Sequence, residues 1–329
     1  MMPLVFSYYG CQLGAFRTLC DKLQTSYGLQ PTLNVGIEES VAMFLRICGH
    51  NEVQRDVGLR FGRTQETVNR KFFEVLKATE LLACDYIRTP TTQELRQIPE
   101  RLVMDQRYWP YFSGFVGAMD GVHVCVKVKP EVQGMYWNRH NITSFNIMAI
   151  CDLNMLFTYV WNGAPGSCHD TAVLTMAQER DSDFPLPPPD KYYLVDSGYP
   201  NKQGFLAPLD LHGMWLFGII CHNLKMVLLL ETSKSCLIDI MHLYVLLLKG
   251  LLEYGRRNGG FFVNFLGYDK KVQKRVVMAT MGLHNFIRIS NFSDEDFADV
   301  RRDTEIGNTS SMIEPSDGRS GNRRRRFYG

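Results

Sequence analysis

Three aspartates stand where strand-forming runs meet turns. Asp120 lies in Gly-Ala-Met-Asp-Gly-Val-His-Val, Asp170 in Pro-Gly-Ser-Cys-His-Asp and Asp196 in Leu-Val-Asp-Ser-Gly-Tyr. Carboxylates so placed suit phosphodiester cleavage. Mg²⁺ is a hard cation that prefers oxygen ligands, and in such sites it activates water and stabilises the leaving oxygen. Two carboxylates at the ends of neighbouring strands, with a third from a nearby helix, clamp two ions about 3.5 to 4 Å apart. Asp120 and Asp196 are the strand-end candidates. The plainer alternative is that Asp-Gly and Asp-Ser-Gly are ordinary turn formers whose carboxylates bond their own backbone.

Short runs rich in β-branched and aromatic residues surround these aspartates. Val122 to Val128, Ser144 to Cys151, Phe157 to Trp161 and Tyr192 to Val195 read as strands. Helical spacing over His169 to Gln178 and Lys271 to Ile289 completes a mixed α/β domain over residues 114–290. A small all-α unit precedes it over residues 1–90, joined by a linker at 91–113. In that unit one helix covers Glu38 to Cys48, with Val41, Ala42, Phe44 and Leu45 inward, and a second covers Glu52 to Phe61. Gly62 makes a turn, and Thr64 caps a third helix with Val68, Phe72, Val75 and Leu76 on one stripe.

Two short helices joined at a glycine resemble a helix-turn-helix, with Arg63, Asn69, Arg70 and Lys71 as candidate nucleic-acid contacts on the face opposite the stripe. Between Arg55 and Lys77 six basic residues stand against three acidic ones, a modest local excess. A helical packing unit with an ordinary solvated face fits the same pattern.

Composition bounds the partners. The 329 residues carry 36 basic and 34 acidic side chains for a net charge of +2, so a nucleic-acid surface would be a local patch. Nine scattered cysteines without zinc-type spacing point to reduced thiols in a cytosolic or nuclear compartment. The N-terminus lacks the pattern of a secretory signal, and the apolar stretch from Trp215 to Leu230 is short and broken by His222, Asn223 and Lys225, so no membrane span is expected. The polar tail, residues 291–329, reads as disordered and carries Arg323 to Arg326, a run of the kind used in nuclear import or phosphate contact.

Five blocks in order carry a family resemblance: Gly117 to Val124, Tyr136 to His140, Pro165 to Asp170, Asp196 to Pro200 and Leu283 to Arg288. Together they resemble the Harbinger (PIF-type) transposases and the nucleases domesticated from them. The helical stretch with Val41 to Leu45, Arg60-Phe61 and Thr67 to Phe72 is similar to the region before the nuclease in that family, most like its plant members. The resemblance implies a ribonuclease H-like fold with a DDE metal site binding Mg²⁺ or Mn²⁺. Asp120 and Asp196 would be its first two members, and Asp170 matches an additional family aspartate beside which His169 would position the loop. It also implies DNA as substrate, a Myb-like DNA-binding partner and a nuclear location. A second functional class is a domesticated, non-catalytic chromatin or protein-interaction module.

The third carboxylate of the family lies on a helix of the form Val-Ile-Glu-Arg-x-Phe-Gly-x-x-Lys. Residues 210–262 contain nothing of that form; Glu231, Asp239 and Glu253 are present with other neighbours. Codons can be chosen for Leu247 to Arg257 such that the frame one base earlier reads Val-Ile-Glu-Arg-Thr-Phe-Gly-Val-Trp-Lys-Lys. A shifted frame through this segment therefore accounts for the missing helix, and it predicts weakened metal binding, impaired catalysis and exposed apolar surface there.

Overall fold

A computed structural model describes residues 13–50, 52–104, 109–126, 128–139, 141–196, 198–207 and 268–290. The atypical segment 210–262, with Glu231, Asp239 and Glu253, and the tail at 291–329 lie outside the described residues.

The N-terminal unit is helical: α1 (Leu13–Thr25), α2 (Ile37–His50), α3 (Gln54–Phe61) and α4 (Gln65–Tyr86). Apolar residues at helical spacing dictate its inner faces. Val41, Ala42, Phe44 and Leu45 of α2 are buried, and Val68, Phe72, Val75 and Leu76 of α4 are wholly so. Between α3 and α4, Gly62 adopts a left-handed φ of 65° and its N–H bonds the carbonyl of Gly58, a helix ending that favours glycine. Thr64 then opens α4, its hydroxyl accepting from the Thr67 N–H at 3.3 Å.

Lys71 departs from the sequence expectation. It does not lie on the solvated face of α4: it is fully buried, with its ammonium bonded to Glu74 at 2.7 Å. The stripe of α4 reports only its deepest side, and α2, α3 and the C-terminal helix α9 (Lys270–Ile289) all pack on α4. The polar face is accordingly narrower than the periodicity implies.

The stretch expected as a linker contains two single-turn helices, α5 (Thr92–Arg96) and α6 (Glu100–Met104), whose Leu95 and Leu102 are buried. It leads into a five-stranded sheet of order β3-β2-β1-β4-β5. The strands are β1 (Phe115–Cys125), β2 (Ser144–Cys151), β3 (Phe157–Pro165), β4 (Tyr192–Val195) and β5 (Phe205–Leu206), with α7 (Gln133–Tyr136) between β1 and β2 and α8 (Asp170–Arg180) between β3 and β4. β1, β2 and β3 pair antiparallel, whereas β4 pairs parallel with β1, and β5 with β4. A mixed five-stranded sheet in this order, flanked by helices and preceded by a helical unit, is the expected ribonuclease H-like α/β architecture. β1 starts earlier and ends earlier than the Val122 to Val128 reading, because pairing with β4 at Gly117 and with β2 at Asp120 and Gly121 holds these residues in a strand that their intrinsic propensities disfavour.

Side chains of the sheet alternate between two cores. Ala118, Phe145, Ile147, Ala149 and Leu194 join the helical unit and α9, and Met119, Met148, Ile150, Tyr193 and Val195 join α8. All of β2 is buried, as expected of a strand covered on both faces.

Candidate active site

The sheet register sets the aspartates. Ala118 pairs with Leu194 and Met119 with Val195 across the parallel strands β1 and β4, so Asp120 and Asp196, the residue that follows β4, each come directly after the last of these pairs. Alternation carries Asp120 onto the face of Ala118 and Leu194. Each carboxylate is anchored locally: Oδ1 of Asp120 accepts from the Gly121 N–H at 2.7 Å, and Oδ1 of Asp196 accepts from the Gly198 N–H. The turn-type bonds of the plainer reading are therefore present, within an arrangement that turns alone do not produce.

Asp170 reaches the same corner from the first turn of α8. Its Oδ1 accepts from Nδ2 of Asn146 at 2.8 Å, and Gly121 supplies the space it occupies, since a Cβ there would fall 2.4 Å from that oxygen. The other oxygen faces the Asp196 loop: a Cβ on Gly198 would lie 2.9 Å from Oδ1 of Asp196 and 3.6 Å from Oδ2 of Asp170. Thr171 fastens the start of α8 to that loop, its hydroxyl donating to the Gly198 carbonyl at 3.2 Å. Tyr199, 4% exposed, closes the corner. Burial, then the charges of Asp170, Asp120 and Asp196, push its phenol pKa far up, so the ring senses all three carboxylates and its hydroxyl stays protonated.

Two buried polar atoms at this corner, Oδ1 of Asn146 and the hydroxyl of Tyr199, have no hydrogen-bond partner among the described residues. The three carboxylates do not close on one point: among the described residues no group of three or more His, Cys, Asp and Glu side chains is arranged to hold a metal ion. His169 is exposed and makes no side-chain cap bond to α8. Its carbonyl alone takes part, accepting from the N–H groups of Ala172 and Val173.

Two of the ordered blocks support the site from outside. Tyr136 is buried, and Lys270 of α9 bonds its hydroxyl. The preceding carbonyl, of Met135, accepts from the Ser167 hydroxyl at 2.7 Å and so ties α7 to the loop that delivers Asp170. In Leu283 to Arg288 the polar side chains bind backbone. Nε2 of His284 lies 2.8 Å from the Met155 carbonyl, Asn285 bonds both backbone groups of Phe157 and the carbonyl of Tyr86, and Arg288 donates to the Asn154 carbonyl.

The four candidate nucleic-acid residues do not share one free surface. Arg63 is held by Glu39 through two bonds of 2.6 and 3.0 Å and by the Asn34 carbonyl. Asn69 accepts from Gln54 at 3.0 Å, Lys71 is buried, and Arg70 is exposed. Asn146 and Tyr199 acquire no role from sequence reasoning. The only signal for Asn146 is a lone amide inside an apolar strand.

Comparison with known proteins places this geometry among relatives. Residues 119–214 match the model of the DDE superfamily endonucleases, and residues 9–80 match a domain of unknown function, DUF8040. The chain is similar to proteins of rat and human titled "Putative nuclease HARBI1", at 26% identity over 211 residues in each case, which is 64% of this chain and 57% of theirs. The match thus spans little more than half the length of these curated relatives. No solved structure matches. No helix among the described residues is long and apolar enough to cross a membrane.

Proposed function

We propose that this chain is a transposase-derived, metal-dependent DNA endonuclease-like protein of Harbinger type, resembling plant members, and that its catalysis is impaired. The observation that carries the reading is the parallel register of β1 and β4, whose last pair, Met119 with Val195, immediately precedes Asp120 and Asp196, with Oδ2 of Asp170 turned toward the Asp196 loop. The donor set fits Mg²⁺ or Mn²⁺: three carboxylates supply hard oxygens, and the unpartnered oxygens of Asn146 and Tyr199 are the unmet polar capacity expected beside a hydrated ion. Asp120, Asp196 and Asp170 would hold the metal, which when bound activates water and stabilises the leaving oxygen of a phosphodiester. The chain's own residues do the positioning. Gly121 and Gly198 fix two carboxylates through their N–H groups, and Thr171 keeps the third beside them.

Impairment follows from the sequence, where no Val-Ile-Glu-Arg helix follows Asp196. Two aspartates complete only part of a two-metal site. DNA is the substrate class, and a Myb-like protein supplies target recognition in the nucleus. On the helical unit, Arg70 with the exposed Lys77 remains as the contact to phosphate.

The test is Mg²⁺- or Mn²⁺-dependent nicking of duplex DNA. The chain as it stands is expected to cleave little. Replacing residues 247–257 by Val-Ile-Glu-Arg-Thr-Phe-Gly-Val-Trp-Lys-Lys should raise cleavage, and Asp120→Ala should abolish the gain. Robust cleavage by the unrepaired chain, lost in Glu253→Ala, would instead reveal a substitute third ligand and remove the claim of impairment.

A further inference from the structure

We infer that Asn146 is a positioning residue, which holds Asp170 turned toward the Asp196 loop and on which metal binding at this corner depends. The inference rests on the metal-site reading above and extends it to a residue of the second strand.

The orientation of the amide is fixed by chemistry. A carboxylate accepts hydrogen bonds, so the Asn146 atom 2.8 Å from Oδ1 of Asp170 is its NH₂ donor. That leaves the amide oxygen buried without a partner among the described residues. An orphaned buried carbonyl has given up its water and gained no bond in return, which is unfavourable. The strand around it, Ser144–Cys151, is buried throughout, and an aliphatic side chain at 146 would carry no such cost. Asn146 is therefore a poor choice for packing and a good one for Asp170.

What the bond does is select a direction. Asp170 is the first residue of α8, and an acidic side chain in a first turn is drawn toward the positive end of its own helix. Asn146 pulls Oδ1 the other way, into the gap left by Gly121, which turns Oδ2 toward Gly198 and Asp196. A neutral donor does this without cancelling the negative charge that attracts a cation. A lysine or arginine at the same place would orient Asp170 equally well and repel the ion. Partners that orient a metal-binding side chain in this way contribute about 10- to 100-fold to affinity.

The experiment is Mn²⁺ binding by the full chain, read from the enhancement of water-proton relaxation, which needs no turnover. Asn146→Leu should weaken Mn²⁺ binding about tenfold with a melting temperature equal to or above that of the parent. In an Asp170→Ala background the same substitution should have no further effect, since Asn146 acts through Asp170; a purely structural role would give independent, multiplying losses. Asn146→Ser, smaller and still polar, serves where the leucine variant does not fold and should show the same dependence on Asp170. Asp120→Asn separates the role of Asn146 from the existence of the metal site. If it abolishes binding while Asn146→Leu and Asn146→Ser bind Mn²⁺ as the parent does, the proposal for Asn146 is overturned and the metal site stands. Multiplying losses in the double variant overturn it too. If the parent binds no Mn²⁺, the metal-site reading itself fails and this inference falls with it.

Discussion

A methyl group on Gly121 would lie 2.4 Å from Oδ1 of Asp170. On the same strand, a methyl group on Gly117 would lie 2.6 Å from the carbonyl oxygen of Cys151 in β2. The two approaches are nearly equal in length and differ in what has to give way. Gly121→Ala displaces one carboxylate, and is expected to lower Mn²⁺ affinity about tenfold while changing stability by less than about 1 kcal/mol. Gly117→Ala presses on the backbone of a buried strand and should cost about 1–3 kcal/mol. Chemical denaturation and Mn²⁺ titration on both variants check the contrast, and a larger loss of stability in Gly121→Ala than in Gly117→Ala would refute it.

Lys71 and Arg70 are neighbours with opposite surroundings, the first buried against Glu74 and the second exposed. Arg70→Ala should weaken duplex DNA binding and flatten its salt dependence, because a protein that neutralises fewer phosphates releases fewer counterions. Lys71→Ala should leave the salt slope unchanged and lower stability by about 2–4 kcal/mol, since the core loses an aliphatic stem and Glu74 is left without its partner. Binding isotherms over a range of salt, with melting curves for both variants, distinguish the two residues. An unchanged slope in Arg70→Ala would assign α4 to packing alone.

His284 links the fold to pH. Burial, with a smaller contribution from Arg288, lowers its pKa to about 4, although its bond to the Met155 carbonyl opposes the shift. An unfolded histidine titrates near 6.5, so between these values the unfolded chain binds the extra proton and stability rises with pH. The contribution is complete above about pH 6.5 and is lost as pH falls toward 4. His284→Gln, which keeps a donor for Met155 and cannot titrate, should flatten the stability profile across that window. A profile that stays as steep as the parent's would place the acid sensitivity elsewhere.

Much of this architecture is legible in the chain because local period and burial agree. The stripe Val68, Phe72, Val75 and Leu76 predicts its own interior, and the bounds of β2 and β4 match the runs Ser144 to Cys151 and Tyr192 to Val195. Legibility ends where a second element decides. Nothing near Lys71 announces that packing helices narrow the face to which helical spacing assigns it. The strand around Asp120 reads as a glycine-rich turn until β2 and β4 pair with it. Asn146 is invisible for a related reason: a single amide in an apolar run signals only a buried strand, and its partner lies in a helix 24 positions away. Asp120 and Asp196 are readable as candidates from their flanking residues, but the alignment of the strands that precede them is a property of register, which no single segment contains.

The bridge between α4 and α9 has a bearing on how the chain comes to be folded. Phe72 stacks on Tyr268, just ahead of α9, with ring centroids 5.3 Å apart, Glu80 receives Arg275 through bonds of 2.7 and 2.6 Å, and the carbonyl of Tyr86 receives Asn285 at 2.8 Å. Residues 270–289 leave the ribosome almost two hundred positions after residues 65–86. At the roughly 5–20 residues per second of translation, α4 waits for about 10 to 40 seconds with the side that receives α9 uncovered. A helix made well before its partner is thus among the last to be finished, and over that interval the nascent chain presents the apolar surface that chaperones recognise.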